Sequence, residues 1–174
     1  KFPKQNVFLS PEMKSTGEVI GFDSHLGSAY AKSESGAGKS LPISGNVFIS
    51  VNDIDKIKII TLARDFIELG FNIIATKGTA SLLNKNGINA ESIFKVGEGR
   101  PNVVDGIKNG KIQLVINTPL GAQSRYDEYK IGWASIRYKI TVITTISGAQ
   151  AAVRGIRNIK SGSIEYRSLQ EVFC

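Results

Sequence analysis

Cysteine, histidine, methionine and tryptophan each occur once in this sequence of 174 residues, and that scarcity removes whole classes of chemistry. The single cysteine is Cys174, so an internal disulfide and a cysteine-based metal site have no ligands, and a reducing compartment fits. The single histidine, His25, falls in a Gly- and Ser-rich stretch, where a surface or packing role is expected. With no His or Cys in the rest of the chain, a Ser-His-Asp triad and a zinc site lack raw material, and no metal site is expected. No apolar run approaches the roughly 18 residues of a membrane span. The leading KFPKQNVFLSPEMK has no apolar stretch of the signal-peptide kind.

What is present suits one core. Hydrophobic residues make up 41% of the chain, and 22 Lys and Arg against 15 Asp and Glu give a formal charge of +7. That charge suits anionic partners or a solvated basic surface. No basic stretch interleaved with aromatics accompanies it, so nucleic acid is not an expected partner.

The pattern changes near Gly45. Residues 1–44 are mixed in character and too poor in large apolar side chains for a core of their own, with one short helix expected through about Ala31, capped by Asp23 or Ser24. Beyond Gly45, apolar strand-like runs alternate with helical patterns. VFISV at 47–51 is the first strand. Asp53 or Asp55 then caps a helix in which Ile57, Ile60, Leu62 or Ala63, Phe66, Ile67 and Leu69 recur at helical spacing, with Gly70 as its stop. FNIIAT at 71–76 is the second strand and 92–96 a weaker third. A short helix around Val103, Val104 and Ile107 follows, then LVIN at 114–117, a helix over 126–138, TVIT at 141–144, and a helix over 149–159. This alternation predicts a three-layer α/β fold, a mainly parallel five-stranded sheet flanked by helices in the Rossmann-like manner.

The strand ends carry the functional signal. Ser50, Thr76, Lys95, Asn117 and Thr144 close apolar strands with polar side chains, and ligands on such sheets bind at the carboxyl ends. In FNIIATKGTA the strand stops at Thr76-Lys77-Gly78-Thr79, ahead of a helix expected over 81–86 and ended by Gly87. Two hydroxyls, backbone amides and a glycine that admits close approach make a phosphate cradle. Gly36-Ala37-Gly38-Lys39-Ser40 has the tail of a nucleotide P-loop, but Ser33 stands where the motif needs Gly and a helix rather than a strand precedes it. The carboxylates Asp105, Asp127 and Glu128 show no spacing that proposes an acid/base pair.

Several strings, in order, resemble one family. PEMKSTGEVIG from Pro11 is similar to the signature closing the second ATP-grasp unit of the carbamoyl-phosphate synthase large subunit. ATKGTA, KVGEGRPNVVDGIKNG, LVINTP and ITTISGA resemble that subunit's C-terminal regulatory domain, which has the methylglyoxal synthase-like fold. The resemblance divides the chain into an ATP-grasp tail and linker at 1–44, a regulatory domain at 45–160 and a tail at 161–174. It implies allosteric control of a glutamine-dependent ligase of pyrimidine and arginine biosynthesis, in the cytoplasm or, in a plant or alga, the plastid stroma. Nucleotide effectors of the UMP or IMP type would meet Ser50, Lys56, Thr76, Gly78, Thr79, Lys95 and Asn117, and ornithine would meet Thr144 beside an upstream domain. No cofactor is implied within this chain, which is expected to be non-catalytic alone. ATP with Mg or Mn belongs to the parent enzyme's upstream ATP-grasp domains, a glutaminase small subunit is the implied partner, and homo-oligomers form partly through this domain. Lys14, Ser15 and Thr16 lie where a signal to the upstream unit would pass.

The sequence departs from the family pattern in two places. Pro119 replaces a threonine contact two residues beyond Asn117, and Gly132-Trp133 replaces paired arginines. A lyase of the methylglyoxal synthase kind is the competing reading. Its essential aspartate is Gln123 here and its histidine is missing, so no lyase activity is expected. A third reading, a basic interaction module with a vestigial pocket, predicts salt-sensitive polymer binding without nucleotide preference.

Overall fold

A computed structural model describes residues 19–118, 125–168 and 170–171, with only the backbone of Arg125 and Tyr126. Lys14, Ser15, Thr16, Pro119, Gln123 and Cys174, all singled out above, lie outside the described residues.

Five parallel strands form one sheet: β1 (Gly45–Val51), β2 (Phe71–Thr76), β3 (Ala90–Ile93), β4 (Leu114–Thr118) and β5 (Thr141–Ile143), in the spatial order β3-β2-β1-β4-β5. Among the described residues the α-helices are α1 (Leu26–Gly36), α2 (Lys56–Glu68), α3 (Lys77–Lys85), α4 (Val103–Lys108), α5 (Arg125–Arg137) and α6 (Ile146–Lys160). Alternate strand residues serve different cores. Val47, Ile49, Ile73 and Ile116 join Leu62, Phe66, Leu83 and Ile156 on one side. Phe48, Ile74 and Val115 join Val103, Ile107 and Ile131 on the other. Burial on both faces is why the strands read as unbroken apolar runs.

Helix boundaries differ from the expectation where side chains compete for backbone groups. Helix α1 begins after His25 and runs on to Gly36, past Ala31. Asp23 does not cap it, because its carboxylate accepts from the His25 N–H at 3.0 Å and pairs with Lys32 at 2.7 Å. Asp55, one of the two expected caps, stands at the N-cap position of α2, but its side chain makes no capping hydrogen bond. Asn52 caps a 3-10 turn over Asp53–Asp55 instead, accepting from the Asp55 N–H, and α2 follows. Within α2 the buried face takes Ile59, Leu62, Ala63 and Phe66, while Ile57, expected on that face, is 82% exposed. Helix α3 starts at Lys77 rather than 81, which places Gly78 and Thr79 in its first turn. Strand β3 is Ala90–Ile93, leaving Lys95 in the turn beyond it, and α6 begins at Ile146, capped by Thr145, whose hydroxyl accepts from the Gly148 N–H at 3.1 Å.

The leading segment packs on the sheet domain through α1 and α6. A Cβ on Gly27 would stand 2.6 Å from Arg154 Cβ, and one on Gly155 would stand 2.8 Å from the Gly27 carbonyl oxygen. Both helices therefore use a missing side chain to approach, and Asn158 Nδ2 donates to Ser28 Oγ across the contact at 2.8 Å. Lys160 closes the other end of α2, donating to the Leu69 carbonyl at 2.6 Å.

The strand order places the functional crevice. From β1 the chain moves to β2 and from β4 to β5, so connections leave neighbouring strands in opposite directions and open a gap above their carboxyl ends. Ser50 and Asn117 are register partners at that gap.

Candidate functional site

A cleft of about 530 Å³ lies at this switch point. Strand ends supply Ser50, Thr76, Asn117 and Thr118, while the turns after β1 and β3 add Asn52, Asp53 and Lys95. From α5 come Asp127 and Glu128, and Val51, Val96, Val103 and Ile131 form apolar wall. Four residues named from the sequence therefore meet in one place: Ser50, Thr76, Lys95 and Asn117.

The other named residues stand behind or beside them. Thr76 has extended backbone at the head of α3, yet its hydroxyl does not cap the helix. It donates to Thr79 Oγ1 at 3.3 Å, and both threonines are buried. The first-turn amides of α3 are thus left to another acceptor. Gly78 is exposed, and a Cβ built on it would meet no described atom beyond its own turn within 4 Å. Open space over a helix N-terminus with uncapped amides suits an oxyanion. Thr144 follows β5 and is not among the residues lining the cleft.

Charge in the cleft is mixed. Lys56 reaches it through Asp53, to which it is paired at 2.5 Å. The hydrogen bond from Lys56, its charge and the more distant Lys95 hold the Asp53 carboxyl below its ordinary value. Lys95 sits in a tight turn, its N–H donating to Glu98 Oε2 at 3.3 Å while its carbonyl accepts from the Glu98 N–H. On the opposite wall, burial pushes the Asp127 carboxyl above its ordinary value; Lys95 opposes that shift, Glu98 adds to it and Lys130 opposes it. Cations to attract an oxyanion and carboxylates to accept hydroxyl or N–H groups therefore face one another.

Asn52, Asp53, Thr118, Asp127 and Glu128 were not assigned to the site from the sequence. Asp53 had a clear alternative as a helix cap, and Asp127 with Glu128 reach the cleft only because α5 packs against the β4 side of the sheet. Thr118 and Asn52 do carry a readable signal, since each is a polar residue directly following an apolar strand core. His25 lines a different cleft with Phe22, Lys32 and Tyr166. Among the described residues no cluster of three His, Cys, Asp or Glu is placed to hold a metal, and no helix is long and apolar enough to cross a membrane.

Comparison with known proteins gives a consistent family. A model described as the MGS-like domain matches residues 58–144, from α2 to just past β5. The chain is 48% identical over 174 residues to the carbamoyl phosphate synthase large chain of Nostoc sp., covering 100% of this chain and 16% of that one. It is 50% identical over 172 residues to the large chain of Archaeoglobus fulgidus, covering 98% and 16%. It is 47% identical over 178 residues to a protein from Aquifex aeolicus named as the C-terminal section of that large chain, covering 99% and 33%. The chain thus spans 16% of the length of the first two relatives and 33% of the third. With a matching model that runs through four of the five strands of this parallel sheet, the chain belongs to the family of MGS-like domains.

Proposed function

We propose that this chain is the regulatory region of a glutamine-dependent carbamoyl-phosphate synthase and that its switch-point cleft binds a nucleoside monophosphate of the UMP or IMP type. The observation that carries this reading is the convergence of Ser50, Thr76, Lys95 and Asn117 on one cleft at the point of strand reversal. The phosphate belongs over the first turn of α3, where the Gly78 region is open and the Thr76–Thr79 pair lies beneath. Lys95 supplies charge, and Lys56 does so once a phosphate competes with Asp53. Asn117 and the α5 carboxylates suit the sugar and base, which offer hydroxyl and N–H donors. Charge-assisted hydrogen bonds contribute roughly 1.5 to 3 kcal/mol each, so a few meet the about 8 kcal/mol of a micromolar complex.

The whole-chain similarity to large chains of carbamoyl phosphate synthase supports placing the ligase chemistry, with ATP and Mg or Mn, in upstream ATP-grasp domains, and ammonia supply in a glutaminase small subunit. The setting is pyrimidine and arginine synthesis in the cytoplasm or plastid stroma. Ornithine binds at Thr144 where an upstream domain completes the site, and homo-oligomers form partly through this domain. Effector binding shifts the interface between the two parts of the enzyme by about 1 to 3 kcal/mol, the usual scale of allosteric coupling.

Calorimetric titration of the chain with UMP, IMP and ornithine, with Thr76→Ala as control, tests the reading. Saturable nucleotide binding that the variant loses is the expected result, and a folded chain that binds neither nucleotide refutes it. The carboxylates of Asp127 and Glu128 in the cleft support one second reading, a phosphate-eliminating lyase. Methylglyoxal formed from dihydroxyacetone phosphate by the chain, and abolished in Thr76→Ala, would put that reading first.

A further inference from the structure

The side chain of Asn52 bridges the ends of β1 and β4, and its hydrogen bonds determine the state of a neighbouring hydroxyl. Its Oδ1 accepts from the Asp55 N–H at 3.1 Å, which fixes which end of the amide is oxygen. Its Nδ2 therefore lies toward Asp55 and Thr118, its two hydrogens shared among Asp55 Oδ2 at 2.8 Å, the Thr118 carbonyl at 3.1 Å and Thr118 Oγ1 at 3.2 Å. The Asn52 backbone N–H donates to the Thr118 carbonyl at 3.2 Å and also approaches Thr118 Oγ1, at 3.4 Å. Both Asn52 groups that meet this hydroxyl are donors, so its oxygen receives with its lone pairs and its hydrogen is left to donate elsewhere. Accepting from donors also polarises the O–H bond and strengthens it as a donor.

Thr118 is buried, lines the cleft, and lies one position beyond the Ser50 and Asn117 pair. Buried hydroxyls rarely leave a hydrogen unused. We propose that Thr118 is a further ligand-binding residue, donating its hydroxyl hydrogen to an acceptor oxygen of the molecule held in the switch-point cleft, and that Asn52 is the positioning residue that orients it. The ligand oxygen belongs to a phosphate or to the sugar or base of a nucleotide. This inference rests on the nucleotide reading of the cleft.

The test is calorimetric titration of the chain and of Thr118→Val, Thr118→Ser, Asn52→Ala and Thr76→Ala with UMP and with inorganic phosphate, alongside thermal unfolding of each protein without ligand. Thr118→Val keeps the side-chain shape and removes the hydroxyl, and is expected to weaken UMP binding by about 10- to 100-fold, the scale of one charge-assisted hydrogen bond. Thr118→Ser restores the donor and is expected to bind within about threefold of the parent, a rescue that a role in packing alone does not predict. Asn52→Ala leaves the hydroxyl in place but unoriented, and is expected to weaken UMP binding less than Thr118→Val does. Loss toward phosphate as well as UMP assigns the contact to a phosphate oxygen, and loss toward UMP alone assigns it to sugar or base; either supports the proposal. Parent-like UMP binding by folded Thr118→Val, with Thr76→Ala defective, overturns the inference and leaves the nucleotide reading intact. No binding of either ligand by the parent chain overturns both.

Discussion

Ser50 and Asn117 face each other in the register of β1 and β4, at the point where successive connections leave the sheet in opposite directions. Sixty-odd residues of chain separate them, yet they form the floor of one cleft. A polar pair there belongs to neither apolar core, to which these strands contribute Ile49 and Ile116 on one face and Phe48 and Val115 on the other.

Changing Asn117 to Asp tests the sign of the ligand's charge. The substitution preserves shape and places a carboxylate in a pocket read as holding phosphate. UMP affinity is expected to fall by about tenfold or more through like-charge repulsion, while a neutral nucleoside is affected less. Equal loss toward both ligands, measured by titration, would argue against a phosphate in this cleft.

Gly78→Ala separates stability from binding. No described atom beyond its own turn lies within 4 Å of the new methyl group, and the residue already has helical backbone. Stability is expected to hold or rise, by up to about 0.5 to 1 kcal/mol, because alanine loses less backbone entropy than glycine in a helix. Affinity for UMP is expected to fall, since the methyl group fills the space assigned to phosphate. A variant both more stable in urea and unchanged in affinity would remove the phosphate from that turn.

Asp127 makes stability depend on pH with a definite sign. Its carboxyl is held above the ordinary value, chiefly by burial. The folded chain therefore keeps this proton where the unfolded chain has released it, and stability from this group falls as pH rises from about 3.8 through the folded value. Asp127→Asn removes that dependence. Urea midpoints between pH 3.5 and 7 are expected to fall less with rising pH in the variant, and its relative stability is expected to be greatest at the upper end.

Gly27→Ala probes the contact that ties the leading segment to the sheet domain. Its Cβ would stand 2.6 Å from Arg154 Cβ and 2.7 Å from the Arg154 carbonyl carbon, atoms close to the backbone with little room to yield. Destabilisation of about 1 to 3 kcal/mol is expected, the usual cost of overpacking, read as a lower urea midpoint. Because α1 packs away from the cleft-lining residues, UMP affinity at low urea is expected to change little. An unaltered midpoint would mean that α1 detaches without cost to the core.

Strands β1, β2, β4 and β5 were legible as short apolar runs, and their alternation with helical patterns pointed to the parallel α/β class; β3, expected at 92–96, is instead Ala90–Ile93, whose AESI sequence carries little apolar signal. Boundaries slipped where a local side chain decided between competing backbone partners. Asn52 caps the 3-10 turn ahead of α2 and leaves Asp55 at the N-cap position of α2 without a side-chain bond, while α3 begins at Lys77 with the Thr76 hydroxyl turned to Thr79. The carboxylates of α5 were visible as residues but not as neighbours of Lys95.

By itself the sequence determined which polar groups this protein offers near its strand ends, because side chains buried on both sheet faces must be apolar and a polar residue such as Ser50, Thr76 or Asn117 marks where that burial stops. Tertiary structure alone decided which of those groups meet. Strand order put Ser50 beside Asn117 and left Thr144 outside the cleft, helix packing brought Asp127 across from Lys95, and the amide of Asn52 came to donate to Thr118 at the end of the neighbouring strand. Side-chain chemistry is written residue by residue, whereas proximity between segments far apart in the chain depends on crossover topology, which no single segment encodes.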